Sequence, residues 1–426
     1  MKGPIYLDHA ATTPVDPRVV SKMVPYLYER FGNAASSTHV YGWGADEAVE
    51  IAREEVAALL GCDPAELIWT SGATESNNLA LKGVIGGVMG GVIDGASSTH
   101  GGRGGHVVSV RTEHASVLAP LRALQARGDI ELTLLDVLPN GRIDPQVFAQ
   151  ALRPDTVLAS VMWVNNETGV VQDIAALAAI CGARGVLLHV DAAQAAGKVD
   201  IDLSAVPVDL LSVSAHKIHG PQGIGALFVR RELRDRLQAQ QLGGAQEQGL
   251  RAGTLPLHQI VGFGEAYRMA RRGMAVDNDR IRWLRDRLWS GLAQLDGVFL
   301  NGDAEHCIPH ILNIGFTGID ALALIERLAP QLAMSSGAAC ASSKTAASTV
   351  LTALGRSEAQ ALASLRLSLG RFTRAEDIDI AIELIAAAVA ALRAAKPAAD
   401  DDEDCPMKRM RRRARQRTVS TTVKSA

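Results

Sequence analysis

Two residues in this chain are placed for covalent chemistry on an aldehyde. Lys217 stands in Ser214-Ala215-His216-Lys217, where the apolar, β-rich run Leu210 to Val213 ends, so a hydroxyl and an imidazole lie beside its amine. Asp191 closes an earlier apolar run, Val186 to Val190, with Gln194 just beyond it. Either residue alone reads most simply as a solvated loop lysine or a turn carboxylate. Together, at the ends of two parallel strands, they fall where α/β folds bind ligands, at the carboxyl edge of the sheet. An amine that forms a Schiff base, plus a buried carboxylate that keeps a pyridine nitrogen protonated, is the pair that pyridoxal phosphate chemistry needs.

Other residues collect at the same predicted edge. Thr70-Ser71-Gly72-Ala73-Thr74-Glu75 follows a strand and opens a helical pattern. Backbone N–H groups at such a start, with the Thr74 hydroxyl, form a phosphate cradle at Ala73 and Thr74, although many capping loops read the same way. His114 follows the run 106–110; its imidazole could stack on a cofactor ring and shuttle a proton, or be structural. Asn165-Asn166-Glu167 follows the run 157–164. Arg366 lies inside the apolar run LRLSLG, where burial without a partner is costly, so a carboxylate of the protein or of a substrate is expected against it. Cys340 sits among small residues in SSGAACASSK, which suits a nucleophile that travels and carries sulfur, though a free cysteine is often only a small buried hydrophobe.

The elements that must position these residues alternate from about Ala65 to Val229. Strand-like runs occur at 66–70, 106–110, 131–137, 157–164, 185–190, 209–214 and 224–229, with helical spacing between them, as in Ile174 to Ala183. That order predicts an α/β fold with a mostly parallel seven-stranded sheet covered on both faces. Beyond residue 258 the pattern turns to helices over 258–295, 319–329, 345–354 and 375–395, with short strands at 310–316 and 365–370. The expected organisation is a large α/β domain over 14–257 and a smaller α+β domain from 1–13 and 258–395. The glycine-rich stretch GVIGGVMGGVIDG reads as a weak helix running into a tolerated surface insertion rather than a packing face.

At 426 residues the chain suits two domains, and its 47% apolar content is ordinary for a globular protein. The best membrane candidate, Gly83 to Ile93, is too short to span a bilayer, and the N-terminus lacks a secretory apolar core. Cys62, Cys181, Cys307, Cys340 and Cys405 are far apart, without a C-x-x-C pair or metal spacing. That usage points to a reducing compartment, and so to a cytoplasmic enzyme. After Lys396 an acidic run, Asp400 to Asp404, precedes a basic block from Lys408 to Arg417. Without apolar periodicity this tail over 396–426 is expected to stay disordered, either solvated or in salt-sensitive contact with nucleic acid.

Taken together, YLDHAATTP, TSGATESNNLA, TEH, VNNETGVVQDI, HVDAAQ, SAHKIHGPQGIGAL, RAGT, SSGAAC and LRLSLGRFT resemble, in order, the motifs of cysteine desulfurases. These are class-V aminotransferase-like, fold-type I pyridoxal phosphate enzymes. The resemblance spans about residues 5 to 395 and is greatest to the branch supplying sulfur for iron–sulfur clusters and tRNA thiolation. It implies Lys217 as the Schiff-base lysine, Asp191 on the pyridine nitrogen, Gln194 on the phenolic oxygen and His114 stacked on the ring. Thr74, Ser214 and His216 would hold the phosphate, with Thr254 reaching it from the second subunit of a homodimer. Asn166 and Arg366 would hold the carboxylate of L-cysteine, and Cys340 would take its sulfur as a persulfide for an acceptor or scaffold protein.

The chain departs from that family at Gln222, Gln246 and Gln248, where basic residues are usual, at TAAST after the cysteine, and in its acidic-then-basic tail. These departures bear on the acceptor rather than on the reaction. Two other readings stay open: a selenocysteine lyase or aminotransferase on the same fold, and an assembly platform whose tail binds nucleic acid.

Overall fold

The computed structural model describes residues 3–91, 105–336 and 347–395. Cys340 and the 396–426 tail therefore lie outside the described residues. The central sheet has seven strands, ordered Leu67–Thr70, Gly225–Val229, Leu210–Ser214, Leu187–Asp191, Thr156–Met162, His106–Val110 and Glu131–Leu135. Gly225–Val229 runs antiparallel to both neighbours, while the five strands from Leu210–Ser214 to Glu131–Leu135 are mutually parallel. Six of the seven thus end at one edge.

The strands are apolar on both sides because both faces are covered. Ile68, Val107, Leu158, Leu210 and Leu227 pack on one face with the helices Ala73–Met89 and Ala115–Ala126. Their neighbours in sequence, among them Trp69, Val108, Ala159, Leu211 and Phe228, pack on the other with Val40–Leu60, Ile174–Gly182 and the first half of Leu257–Leu292. This alternation is the period of two that a strand imposes.

A second apolar core forms around the antiparallel sheet Ser364–Ser368, Ile311–Phe316 and Val298–Leu300. Helices Ala321–Leu328 and Ala375–Ala394 cover it, together with Ile281, Leu284, Leu288 and Leu292 from the far half of the long helix. Leu7 enters this core, and Ile5–Tyr6 pairs in parallel with Leu332–Ala333. The N-terminus therefore crosses from the small sheet toward the edge of the large one.

One expectation is corrected. The helix Ala73–Met89 runs into the glycine-rich stretch as far as Met89, and Val84, Ile85 and Val88 are buried. Its glycines serve packing: a Cβ on Gly86 would fall 1.9 Å from Gln238 Oε1, and one on Gly83 3.2 Å from Gln238 O. The helical cost of glycine is offset by close approach of the 237–238 backbone, which a surface reading of the spacing overlooked. Residues 92–104 of the stretch lie outside the described part.

Candidate active site

A cavity of about 620 Å³ opens at the edge where the six strands end. Ala73, Thr74, His114, Asn166, Asp191, Gln194, Ser214, His216, Lys217 and Arg366 all line it. The sequence thus placed ten of its twelve site residues on one cavity wall. Thr254 is exposed and does not line this cavity within its own chain. Cys340 is the twelfth.

Lys217 ends a short 3-10 turn, Ala215–Lys217, directly after its strand. Its Nζ donates to the carbonyls of Ala10 and Ala11, both at 2.8 Å. These carbonyls come from the N-terminal segment, which crosses between the two cores. Asp191 ends the adjacent parallel strand and is buried. Its Oδ1 accepts from the Ala193 N–H at 2.9 Å, and its Oδ2 from Asn77 Nδ2 at 2.8 Å.

Asn77 is wholly buried in the helix behind the cradle, and its Nδ2 also donates to Ser116 Oγ at 2.8 Å. The Ser116 hydroxyl lies 2.8 Å from His114 Nδ1, which also accepts the Ser116 N–H at 3.2 Å as the N-cap of its helix. With Nδ1 accepting, a neutral His114 carries its proton on Nε2. Burial pushes the His114 imidazole below its ordinary range and the Lys217 ammonium adds to this, against the opposing pull of Asp191. Asn77 and Ser116 therefore tie Asp191 to His114.

Glu113 is buried beside them. Its Oε1 accepts the Met162 N–H at 2.6 Å and its Oε2 has no partner among the described residues. Burial, and then the Asp191 charge, raise its carboxyl well above the usual range.

The cradle begins at Gly72, the N-cap of Ala73–Met89, where no side chain caps the helix. Gly72 has φ +149°, a conformation L side chains rarely adopt, and a Cβ on Gly225 would meet its Cα at 2.6 Å. Two glycines thus bring an uncapped helix N-terminus against the start of Gly225–Val229, where Gly225 pairs with Ser214, leaving backbone donors to an anionic ligand. His216 Nδ1 lies 3.1 Å from Thr12 Oγ1, and burial, Lys217 and Lys198 push its imidazole down to about 4. Gln222 also lines the cavity and donates to Thr12 Oγ1 at 3.1 Å. The residues present fit a phosphorylated pyridine aldehyde at each of its ends.

Arg366 finds the protein carboxylate that its burial required. Its Nη2 donates to Asp8 Oδ1 at 2.8 Å and its Nη1 to the Asn166 carbonyl at 2.7 Å, while Nε is buried without a partner among the described residues. Two of five guanidinium N–H groups are engaged, which leaves donors for a second carboxylate. Sequence reasoning missed Asp8, Asn77, Ser116 and Thr12, although Asp8, Thr12 and Asn77 fall inside motifs it had singled out.

Residues 5–380 match the family model described as Aminotransferase class-V. The cysteine desulfurase IscS of Methylococcus capsulatus is 55% identical over 397 residues, 93% of this chain and 95% of its own length. An Escherichia coli protein of the same name is 51% identical over 399 residues, again 93% and 95% of the two chains. Among solved structures, a NifS-like protein superimposes with TM-score 0.83 at 31% identity, covering 91% of this chain and 100% of its own. A structure described as SspA in complex with cysteine gives TM-score 0.75 at 32% identity, over 87% and 99%. By this fold, this site and these identities, the chain belongs to the class-V aminotransferase family, among its pyridoxal phosphate-dependent cysteine desulfurases.

Proposed function

We propose that this desulfurase works at the Lys217 cavity: the C–S bond of L-cysteine breaks there, sulfur passes to Cys340 as a persulfide, and the carbon skeleton leaves as L-alanine. The observation that carries the reading is the convergence of Lys217, Asp191 and the uncapped start of Ala73–Met89 on one cavity. Bound pyridoxal phosphate supplies an aldehyde for amines and a protonated ring that takes up electrons from the carbon beside it. Lys217 Nζ anchors that aldehyde. Asp191 holds the proton of the pyridine nitrogen, and Asn77 and the Ala193 N–H hold Asp191. His114, with its proton on Nε2, would stack on the ring, Gln194 would bond the phenolic oxygen, and Ala73, Thr74, Ser214 and His216 would hold the phosphate. Arg366 and Asn166 hold the cysteine carboxylate.

The homodimer belongs to the same proposal. Leu27, Tyr28, Val40 and Trp43 are more than half exposed on neighbouring elements, and the rings of Phe31 and Tyr41 stack at 5.1 Å beside them. An apolar patch of this kind suits a second copy, and an exposed Thr254 is free to serve a neighbour's cavity. Gln246 Oε1 accepts the Gly253 N–H at 3.1 Å and so steadies the loop that carries Thr254. We place the enzyme in the cytoplasm on its cysteine usage; among the described residues no helix is long and apolar enough to cross a membrane. The persulfide would feed an acceptor or scaffold protein of iron–sulfur or thiolation chemistry.

Purified protein loaded with pyridoxal phosphate tests the reading by formation of alanine from L-cysteine. Alanine in step with persulfide supports it. Alanine from L-selenocysteine but not L-cysteine, or keto-acid-dependent amino transfer, would replace it with one of the other activities of the fold.

A further inference from the structure

Behind the Lys217 cavity lies a smaller one that shares Ala10 and Lys217 as its wall. Lys198 lines it and is buried, with Nζ 2.7 Å from Gln194 Oε1. Among the described residues Lys198 has no ion-pair partner, and the like charges of Lys217 and Arg366 act against its own. A lysine buried without a carboxylate is costly, and its position four residues after Gln194 puts it on the same side of the turn.

We propose that Lys198 is a positioning residue that fixes Gln194 as a hydrogen-bond donor toward the phenolic oxygen of the cofactor. This rests on the assignment of Gln194 to that oxygen. An amide has one acceptor end and one donor end, and its two orientations differ only in what surrounds it. Here both ends are specified. The Ala10 carbonyl accepts Gln194 Nε2 at 2.8 Å, and Lys198 Nζ donates to Oε1. Nε2 then keeps its second hydrogen for a ligand in the larger cavity. The Ala10 carbonyl is shared with Lys217 Nζ, so Lys198 holds the end of the amide that nothing else claims. Without it, Oε1 would be buried unpaired and the Ala10 carbonyl, shared with Lys217, would be left as the one contact orienting the amide.

The surroundings keep Lys198 a weakly charged donor. Burial, Lys217 and Arg366 bring its amine down to about 7. The imidazoles of His9, His219 and His310 share its cavity and are themselves held neutral by burial. The one carboxylate on that wall, Asp277, is engaged by Arg371 Nε at 2.8 Å.

The test is a pH titration of the visible absorbance of the pyridoxal phosphate-loaded protein, which reads the proton on the Lys217 nitrogen linked to the cofactor. A lost donor at the phenolic oxygen leaves more electron density beside that proton and holds it more tightly. Lys198→Met should raise the midpoint by about one pH unit, a tenfold change in proton affinity. Gln194→Met should raise it similarly, and the double variant no further than Gln194→Met alone. Lys198→Gln, a neutral donor, should stay near wild type, and it gives a reading even if Lys198→Met loses the cofactor. Additive shifts, or a Lys198→Gln shift as large as that of Lys198→Met, would mean that Lys198 acts by charge alone and overturn the proposal. An unchanged Lys198→Met midpoint beside a shifted Gln194→Met would overturn it too, leaving a packing role. An unchanged Gln194→Met midpoint would instead remove the assignment of Gln194 on which the proposal stands.

Discussion

Asn77 Nδ2 donates to Asp191 Oδ2 at 2.8 Å across 114 positions of sequence. The same nitrogen holds Ser116, and Ser116 holds His114. The Asp191 carboxylate and the His114 imidazole are therefore set by one buried amide. Asn77→Ala should leave Asp191 with the Ala193 N–H as its remaining donor among these contacts. A bond of this kind to a charged group is worth about 1.5–3 kcal/mol, so turnover should fall roughly tenfold to a hundredfold. Steady-state rates with cofactor content measured in parallel would show it; unchanged turnover would make Asn77 a packing residue.

Arg366→Lys should raise the KM for L-cysteine more than it weakens cofactor retention. An ammonium cannot keep Asp8 and the Asn166 carbonyl while gripping a second carboxylate in a planar fork. The expected rise is about tenfold or more. Asp8→Asn should do the same more weakly, since the guanidinium survives with one support fewer. Kinetics of both variants at saturating cofactor check this, and equal KM values would take Arg366 out of the substrate site.

Glu113 makes stability depend on pH. Its folded carboxyl is raised above the ordinary value of 4.5, so its contribution is full below that value and is lost as pH rises toward the folded one. Glu113→Gln cannot titrate and keeps an acceptor for the Met162 N–H. Relative to wild type, its thermal midpoint should improve steadily from about pH 5 upward. A constant difference across pH would show that Glu113 already titrates at an ordinary value.

The strand ends were legible in the sequence because runs such as Leu210 to Val213 are apolar on both faces and stop abruptly at polar residues. Each stop marks the same edge of a parallel sheet, so Lys217, Asp191, His114 and Asn166 could be assembled without coordinates. The residues that orient them were not legible. Asn77 sits mid-helix, where an asparagine reads as surface, and its partner is fixed only by packing of the helix on the sheet. Asp8 and the Ala10 and Ala11 carbonyls reach the site only because the N-terminus crosses between the two cores. The buried glycine face of Ala73–Met89 shares its composition with a loop, and only the approach of Gln238 distinguishes the two.

Truncation after Lys396 should leave L-cysteine turnover intact, since every assigned site residue precedes it. If the basic block contacts nucleic acid, truncation should also flatten the salt dependence of binding to tRNA or DNA. Equal affinities of full-length and truncated protein across a salt titration would leave the tail without that role.

The central claim is that sulfur leaves L-cysteine at the Lys217 cavity and arrives on Cys340. Peptide mass mapping after a brief pulse of L-cysteine tests it most directly. In wild type, the peptide bearing Cys340 should gain one sulfur atom as alanine forms. In Lys217→Ala it should gain none, and in Cys340→Ser neither persulfide nor alanine should accumulate. Added sulfur on Cys62, Cys181 or Cys307 instead, or sustained alanine formation by Cys340→Ser, would contradict the account.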